Sequence, residues 1–456
     1  MGLFHQGEHS GVVTETATFT GPVFTPDDAG YQQEIAGFQT AYTHRPALVA
    51  GAVHTEDVRA AVEYAARHRV PLAVQATGHG LSVAIDGGVL VTTGRMNAIT
   101  VDPDKRTARV GAGVRAGALV EAAAAHGLAP LNGSSPSVGV VGYVLGGGLG
   151  LLGREFGYAA DHVRSIELVT ADGRVRTIGP ADELFTAVLG TGGNFGVVTA
   201  LELDLVPVTE IFGGQLMFDT PLVDTVLDTW RQWSATVPEE ITSTVAVLTF
   251  PDIPPVPQPL RGRHVASIRV ATTLPAEAAE RLIAPLRAIG DRLRDDLRTM
   301  PYIESHTVHS DPDFPHAYAA TNALLADLTP EALAALRTQT APGGPVDAVV
   351  DIRHLGGALR RGTASVGHRD AEYIVRVITD AGAGDAAPEA LDTVRKALAP
   401  WTIGHSLNFL YGAGAAAGPE QTAAGYPRAD FDRLRALKTK YDPHGMFRAN
   451  RTIPGA

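Results

Sequence analysis

One stretch constrains the chain more than any other: Val74-Gln75-Ala76-Thr77-Gly78-His79-Gly80-Leu81-Ser82. A run with strand character, Pro71 to Gln75, enters a loop of small residues with one histidine between two glycines. Small residues let backbone N–H groups approach a ligand, and successive N–H groups in a tight loop form a concavity for an anion such as a pyrophosphate. A histidine fixed there presents its ring to whatever the loop cradles. An isolated Gly-His-Gly reads more simply as a surface turn with a solvated histidine. The downstream sequence shifts that balance.

A second glycine-dense stretch holds Gly139, Gly142, Gly146, Gly147, Gly148 and Gly150, interleaved with Val, Leu and Tyr143. Glycine at this density is poor for helix and strand interiors alike, and linkers are more polar. It suits backbone lying flat against a large planar ligand. A third loop, Gly190 to Gly196, leads into the alternating run 197–205. By contrast, Gly111-Ala112-Gly113-Val114-Arg115-Ala116 between a strand and a helix imitates a dinucleotide-binding turn. No βαβ unit precedes it, and Leu131 to Pro136 stands where an acidic ribose-binding residue belongs. The simpler reading is a tight turn that needs glycine for steric reasons.

At 456 residues the chain exceeds a single core, so two domains or more are expected. A net charge of −12 without a basic cluster argues against nucleic-acid and anionic-membrane partners. The absence of cysteine removes disulfides, thiolate metal sites and a cysteinyl cofactor link. The first residues show neither a basic region nor an apolar run, so a cytoplasmic location is expected.

Local patterns predict a helix over 55–67 with Thr55 as N-cap, a strand over 88–92, a pair of strands around Pro103-Asp104, and a hairpin turning at Asp172-Gly173. After about residue 207 the character changes. Amphipathic segments over 222–233, 276–297 and 330–337 alternate with strands over 244–250, 265–272, 346–353 and 373–379. That pattern implies an α+β unit with a mostly antiparallel sheet.

Taken together the pieces resemble the berberine bridge enzyme-like flavin oxidases of the vanillyl-alcohol oxidase/p-cresol methylhydroxylase superfamily. The motifs are Gly78-His79-Gly80, the 139–150 stretch, Gly193-Asn194-Phe195-Gly196, Leu355-Gly356-Gly357-Ala358, and Lys440-Tyr441-Asp442-Pro443 followed by Phe447-Arg448 and Asn450, in the family's order. The resemblance implies an α+β, two-domain FAD-binding PCMH-type fold. Residues 1–207 and 408–456 would form a discontinuous flavin domain, and 208–407 the substrate domain. It implies FAD carried on His79 through the 8α-methyl group. Ser135 stands where some relatives carry cysteine, so a single link is expected. The cofactor-binding set implied is Gln75, Ala76, Thr77, Gly78, His79, Gly80, Ser82, Gly133, Ser135, Gly139, Gly142, Gly146, Gly147, Val198, Asn408 and Asn450.

The implied chemistry is two-electron oxidation of a small organic substrate, with O₂ as acceptor and H₂O₂ as product. The composition, arginine-rich with lysine only at 105, 396, 438 and 440, points to bacterial secondary metabolism as the setting. Members often carry tyrosine where this chain has Ser406, so the base is sought among Tyr143, His405, Tyr411, His354 and Tyr373. For any single one, packing or solvation is the simpler role. His306, His309, Asp311, Asp313 and His316 lack the spacing of a metal site and read instead as a solvated or substrate-mouth loop, so no metal is expected. Two other functions remain: a flavoprotein that sequesters a drug-like ligand, and an NAD(P)-dependent dehydrogenase built on Gly111 to Ala116.

Overall fold

The computed structural model describes residues 19–343, 348–383, 386–411 and 418–456. The N-terminal stretch read for sorting signals and the first two residues of the expected 346–353 strand lie outside the described residues. The first sheet contains β1 (Val23–Phe24), β2 (Leu48–Gly51), β3 (Leu72–Gln75) and β4 (Val89–Thr92), in the order β1-β2-β4-β3. Strands β2, β4 and β3 are parallel. Helix Thr55–His68 is the crossover, and it packs Val58, Ala61, Val62 and Ala65 into the core beneath the sheet. Its N-cap is His54, not Thr55: the His54 ring accepts from Asp57 N, while Thr55 Oγ1 donates to Glu167 at 2.6 Å. The cap moves back one residue because Thr55 has a better acceptor on a neighbouring strand.

The second sheet contains β5 (Ile99–Asp102), β6 (Thr107–Gly111), β7 (Val163–Val169), β8 (Val175–Ile178) and β9 (Val197–Asp204), ordered β5-β6-β9-β7-β8. Its pairings are all antiparallel, and Gly173 turns the β7–β8 hairpin at φ 72°. Against expectation, a βαβ unit does precede the Gly111–Gly113 turn, running from β2 through helix Thr55–His68 to β3, but the turn itself follows a strand that is antiparallel to both its neighbours. A Cβ on Gly111 would lie 2.3 Å from Met96 O, and one on Gly113 2.2 Å from Thr93 O, so these glycines answer to close backbone packing.

The third sheet has nine strands, all paired antiparallel: β10 (Glu210–Phe218), β11 (Ile241–Thr249), β12 (His264–Thr272), β13 (Arg294–Asp295), β14 (Arg298–Pro301), β15 (Tyr318–Leu325), β16 (Ala348–His354), β17 (Tyr373–Asp380) and β18 (Thr402–Gly404). The order is β13-β10-β12-β11-β16-β17-β15-β18, with β14 also on β10. One face lies against helices Val223–Ser234, Ala276–Arg287, Pro330–Gln339 and Ala386–Leu398 through Trp230, Ile268, Ile283, Leu333, Ile352 and Val394. Each such buried aliphatic side chain contributes about 1.5–3 kcal/mol. The expected 276–297 helix stops at Arg287, because Arg294 and Asp295 pair with Met217 and Leu216 and extend the sheet instead. The other face of this sheet carries polar and charged residues and looks onto the glycine loops.

Candidate active site

Where that polar face meets the glycine loops, the chain encloses a cavity of about 580 Å³, within the usual range for small-molecule sites. One wall is backbone. Gln75, Ala76, Thr77, Gly78, His79 and Gly80 line it, with Gly133, Ser135, Gly139, Gly142, Gly146, Val198, Asn408 and Asn450. The loop after β3 is clamped from two sides. Phe38 N donates to Thr77 O at 3.0 Å, Gln39 N to Gly78 O at 3.2 Å, and Gln75 Nε2 to Ile35 O at 3.1 Å. From the C-terminal tail, Asn450 Nδ2 donates to Gly80 O at 2.7 Å. Gly78 sits at φ +71°, and a Cβ there would lie 2.6 Å from Gly37 Cα, so only glycine lets these two segments touch.

Two residues expected on this wall stand behind it. Ser82 is fully buried: its N donates to Asn450 Oδ1 and its Oγ accepts from Arg451 Nη1, both at 3.0 Å. It braces the loop. Gly147 is at φ +105°, with its Cβ position against Val366.

The 139–150 stretch departs from its expectation. Val140–Leu145 is a short helix with Gly142 inside it, held by buried Val140, Val141, Val144 and Leu145. Tertiary packing outweighs the local propensity. The helix ends at Gly146, and Gly147 and Gly148 follow with positive φ. A Cβ on Gly142 would meet nothing within 4 Å, and neither would one on Gly192 or Gly193. A Cβ on Gly146 would collide with the Asn408 amide, which donates to Gly146 O.

His79 stacks on Phe38, ring centroids 3.7 Å apart and planes 16° from parallel. Its Nε2 lies 3.0 Å from Ser137 Oγ, and Tyr318 donates its hydroxyl proton to His79 O. Burial, reinforced by Arg115 and His316, lowers the His79 pKa to about 4, so the ring is neutral at physiological pH. A neutral imidazole is nucleophilic, and Nδ1 has no hydrogen-bond partner among the described residues.

The expected base candidates divide. Tyr143, His405 and Tyr411 line the cavity; His354 and Tyr373 do not. Tyr143 donates to Leu131 O at 3.1 Å, and burial pushes its phenol well above the ordinary value. His405 is fixed through Nδ1 against Asn322 O at 2.6 Å. Tyr411 stands edge-on to Tyr318 with centroids 5.2 Å apart. Burial raises its phenol above the ordinary value and outweighs the opposing pull of Arg376, Arg353 and Arg451. His354 is tied to Arg154 at 2.9 Å and stacks on Tyr373, whose hydroxyl is 3.0 Å from Ser234 Oγ. Both belong to packing away from the cavity.

On the opposite wall, only the loop carrying His309 and Asp311 has a counterpart in the sequence reading; the charged strand residues have none. Asp351, Arg353, Arg376 and Arg269 rise from three strands, joined by Tyr318, His309 and Asp311. Asp351 accepts from Arg376 Nη1 at 2.7 Å and from Arg353 Nε at 3.1 Å. Burial raises its pKa, but Arg353, Arg376 and Arg269 outweigh burial and hold it well below the usual carboxylate range. The guanidinium of Arg376 lies 4.1 Å from the centroid of the Phe409 ring. A charge in the middle of an apolar strand is the sequence signal that could have found this set. His309 and Asp311 line the cavity, and no three His, Cys, Asp or Glu side chains among the described residues are grouped to hold a metal ion. Nor is any helix among them long and apolar enough to cross a membrane.

A family profile described as FAD binding domain matches residues 46–179, and one described as berberine and berberine like matches residues 421–454. (R)-6-hydroxynicotine oxidase of Paenarthrobacter nicotinovorans is 28% identical over 457 residues, covering 95% of this chain and 96% of the relative. The crystal structure of 6-hydroxy-D-nicotine oxidase from Arthrobacter nicotinovorans superposes with a TM-score of 0.81 at 27% identity, covering 96% of this chain and 98% of the other. Xylooligosaccharide oxidase from Myceliophthora thermophila, 23% identical, shares the fold with a TM-score of 0.83 over 96% of this chain and 97% of the other. These neighbours have the α+β, two-domain PCMH-type fold.

Proposed function

We propose, from the premise that this chain belongs to the berberine bridge enzyme-like FAD-linked oxidoreductases, that it is an oxidase carrying FAD on His79. Residues 1–207 with 408–456 would hold the cofactor and 208–407 the substrate. One observation carries this reading: a neutral histidine stands on a glycine loop that opens into a cavity walled by backbone. Gly142, Gly192 and Gly193 face open space where any side chain would intrude, as a flat cofactor requires. When bound, the flavin supplies a two-electron acceptor that O₂ reoxidises to give H₂O₂.

The chain's own residues do the rest. Loop 75–80 holds the cofactor's phosphates with backbone N–H groups. Asn408, pinned to Gly146, fixes the glycine wall against the C-terminal tail. His405 donates its Nδ1 proton to Asn322 O, which leaves Nε2 with the lone pair that accepts the substrate proton, and burial keeps the ring neutral; Tyr411, raised by burial, stays a protonated phenol that hydrogen-bonds the substrate. The substrate is a small organic molecule, as the name of the hydroxynicotine-oxidising relative supports, and oxidative tailoring in bacterial secondary metabolism is the setting proposed.

The test is to denature the purified protein in acid, remove small molecules, and weigh the chain. An FAD-sized mass that stays on the wild type and disappears in His79→Ala is the expected result. Complete release from the wild type would retire the covalent link. A protein without flavin, even after reconstitution, would sink the oxidase reading.

A further inference from the structure

The charged wall does more than complete a cavity. Register places its members on one face of the third sheet. Thr244 is opposite both Arg269 and Arg353, and Asp351 is opposite Arg376. Alternation along β16 sets Asp351 and Arg353 on the same side, away from the helix-facing Val350 and Ile352. The wall is unbalanced. Arg269, Arg353 and Arg376 face two carboxylates, Asp351 and Asp311. Asp351 is shared by Arg353 and Arg376, and Asp311 accepts from Ser134. Arg269 has no ion pair or hydrogen bond among the described residues, and its Nε is buried without a partner. The Nε of Arg376 and Oδ1 of Asp351 are likewise unpartnered.

Arg269 is half-buried, with its Nε shielded from solvent and unpartnered; a shielded cationic N–H without an acceptor is costly, and a ligand that supplies one relieves that cost. The planar fork of arginine matches a carboxylate through two parallel N–H···O bonds. Three cations against two anions leave one positive charge, which a monoanion neutralises and a phosphate dianion would overshoot. Phe409 lies over the Arg376 guanidinium beside this opening and offers an apolar surface next to the charge. We propose that Arg269, supported by Arg353 and Arg376, anchors a carboxylate on the substrate, so that the molecule oxidised is a carboxylic acid. This rests on reading the cavity as the site of an FAD-linked oxidase.

The experiment is calorimetric titration of the purified holoprotein with benzoate, benzamide and inorganic phosphate at fixed ionic strength. Benzoate should bind saturably, with benzamide and phosphate at least about tenfold weaker, the scale of a lost charge-assisted contact. Arg269→Gln should weaken benzoate about tenfold or more while flavin per chain stays at the wild-type level, and Arg269→Lys should fall between. Equal affinity for benzoate and benzamide, or no benzoate binding, would overturn the proposal on the wild type alone, whether or not a variant folds. Unchanged affinity in Arg269→Gln would also overturn it. So would phosphate binding tighter than benzoate, or loss of flavin from Arg269→Gln, which would assign the cluster to the cofactor. Wild-type protein without flavin would retire the oxidase reading separately, because the heat of benzoate binding needs no flavin to be read.

Discussion

The two walls of the cavity are built on opposite principles. On the glycine wall the polar groups are backbone N–H and C=O, and side chains are kept out: a Cβ at Gly78 would strike Gly37, and one at Gly146 would strike Asn408. On the sheet wall the backbone is fully engaged in its ladder, and everything offered to the cavity is a side chain, most of them charged. The first wall recognises shape and tolerates almost no change of volume. The second recognises charge, and its cost lies in desolvating ions that must then be partnered. A site divided this way can hold a bulky flat cofactor by fit and select a second molecule by chemistry.

If the division is real, the two walls should fail differently. The largest effect is expected from Asp351→Asn. The side chain keeps its shape and loses its charge, leaving Arg353 and Arg376 without the carboxylate they share in a residue only 4% exposed. Breaking a buried pair from one side costs roughly 3–5 kcal/mol. Urea unfolding should show that loss, and Arg353→Gln added to Asp351→Asn should recover part of it. A single variant as stable as the wild type would mean that solvent, and not Asp351, balances the arginines.

The glycine wall should respond to volume. Gly78→Ala combines a left-handed backbone with contact against the Gly37 backbone, which cannot swing aside. The conformational part alone costs about 1–2 kcal/mol. The melting temperature and the flavin bound per chain should both fall. Gly142→Ala should separate the two quantities. Its Cβ meets no atom within 4 Å and lies within helix Val140–Leu145. Fold stability should rise by about 0.5–1 kcal/mol, while flavin content drops because the methyl stands in the cofactor's space. Equal flavin in Gly142→Ala and the wild type would break the idea that this wall reads shape.

The same contrast decides what the sequence could reveal. The glycine wall was legible because glycine declares its role by type: Gly78-His79-Gly80, Gly139, Gly142 and Gly146 were picked out locally, and all line the cavity. The sheet wall was not, because it exists only through register between strands as far apart as Arg269 and Arg353. Strands β10 and β15 passed unread for a related reason: Gly213, Gly214 and Asn322 interrupt their apolar pattern while pairing well inside the sheet. Once Arg353 is placed on the cavity, period-two alternation sorts two of the candidates: its neighbour His354 on β16 projects to the other side and pairs with Tyr373, and neither lines the large cavity. Ser82 and Gly147 were misplaced by one layer, since a loop motif identifies its residues but not which of them face outward.

The most gradual effect concerns pH and belongs to the sheet wall alone. Burial, helped by Arg269, holds His309 well below its ordinary value of 6.5, with Asp311 and Asp351 opposing and Arg353 reinforcing the shift. Its folded pKa is depressed, so below pH 6.5 the unfolded chain takes up a proton that the folded chain refuses. The stabilisation is complete above that pH and declines as the solution is acidified, at about 1.4 kcal/mol per pH unit for one such group. His309→Gln removes the titration while keeping a polar side chain of similar reach. The slope of unfolding free energy against pH should flatten by about 1 kcal/mol per unit below pH 6.5 relative to the wild type. Because His309 lies among the arginines, benzoate bound there should hold its charge balance nearer neutral and flatten the wild-type slope as well. An unchanged slope in His309→Gln would mean that acid reaches the molecule elsewhere, and the charged wall would lose its claim to be the chemically responsive side of the cavity.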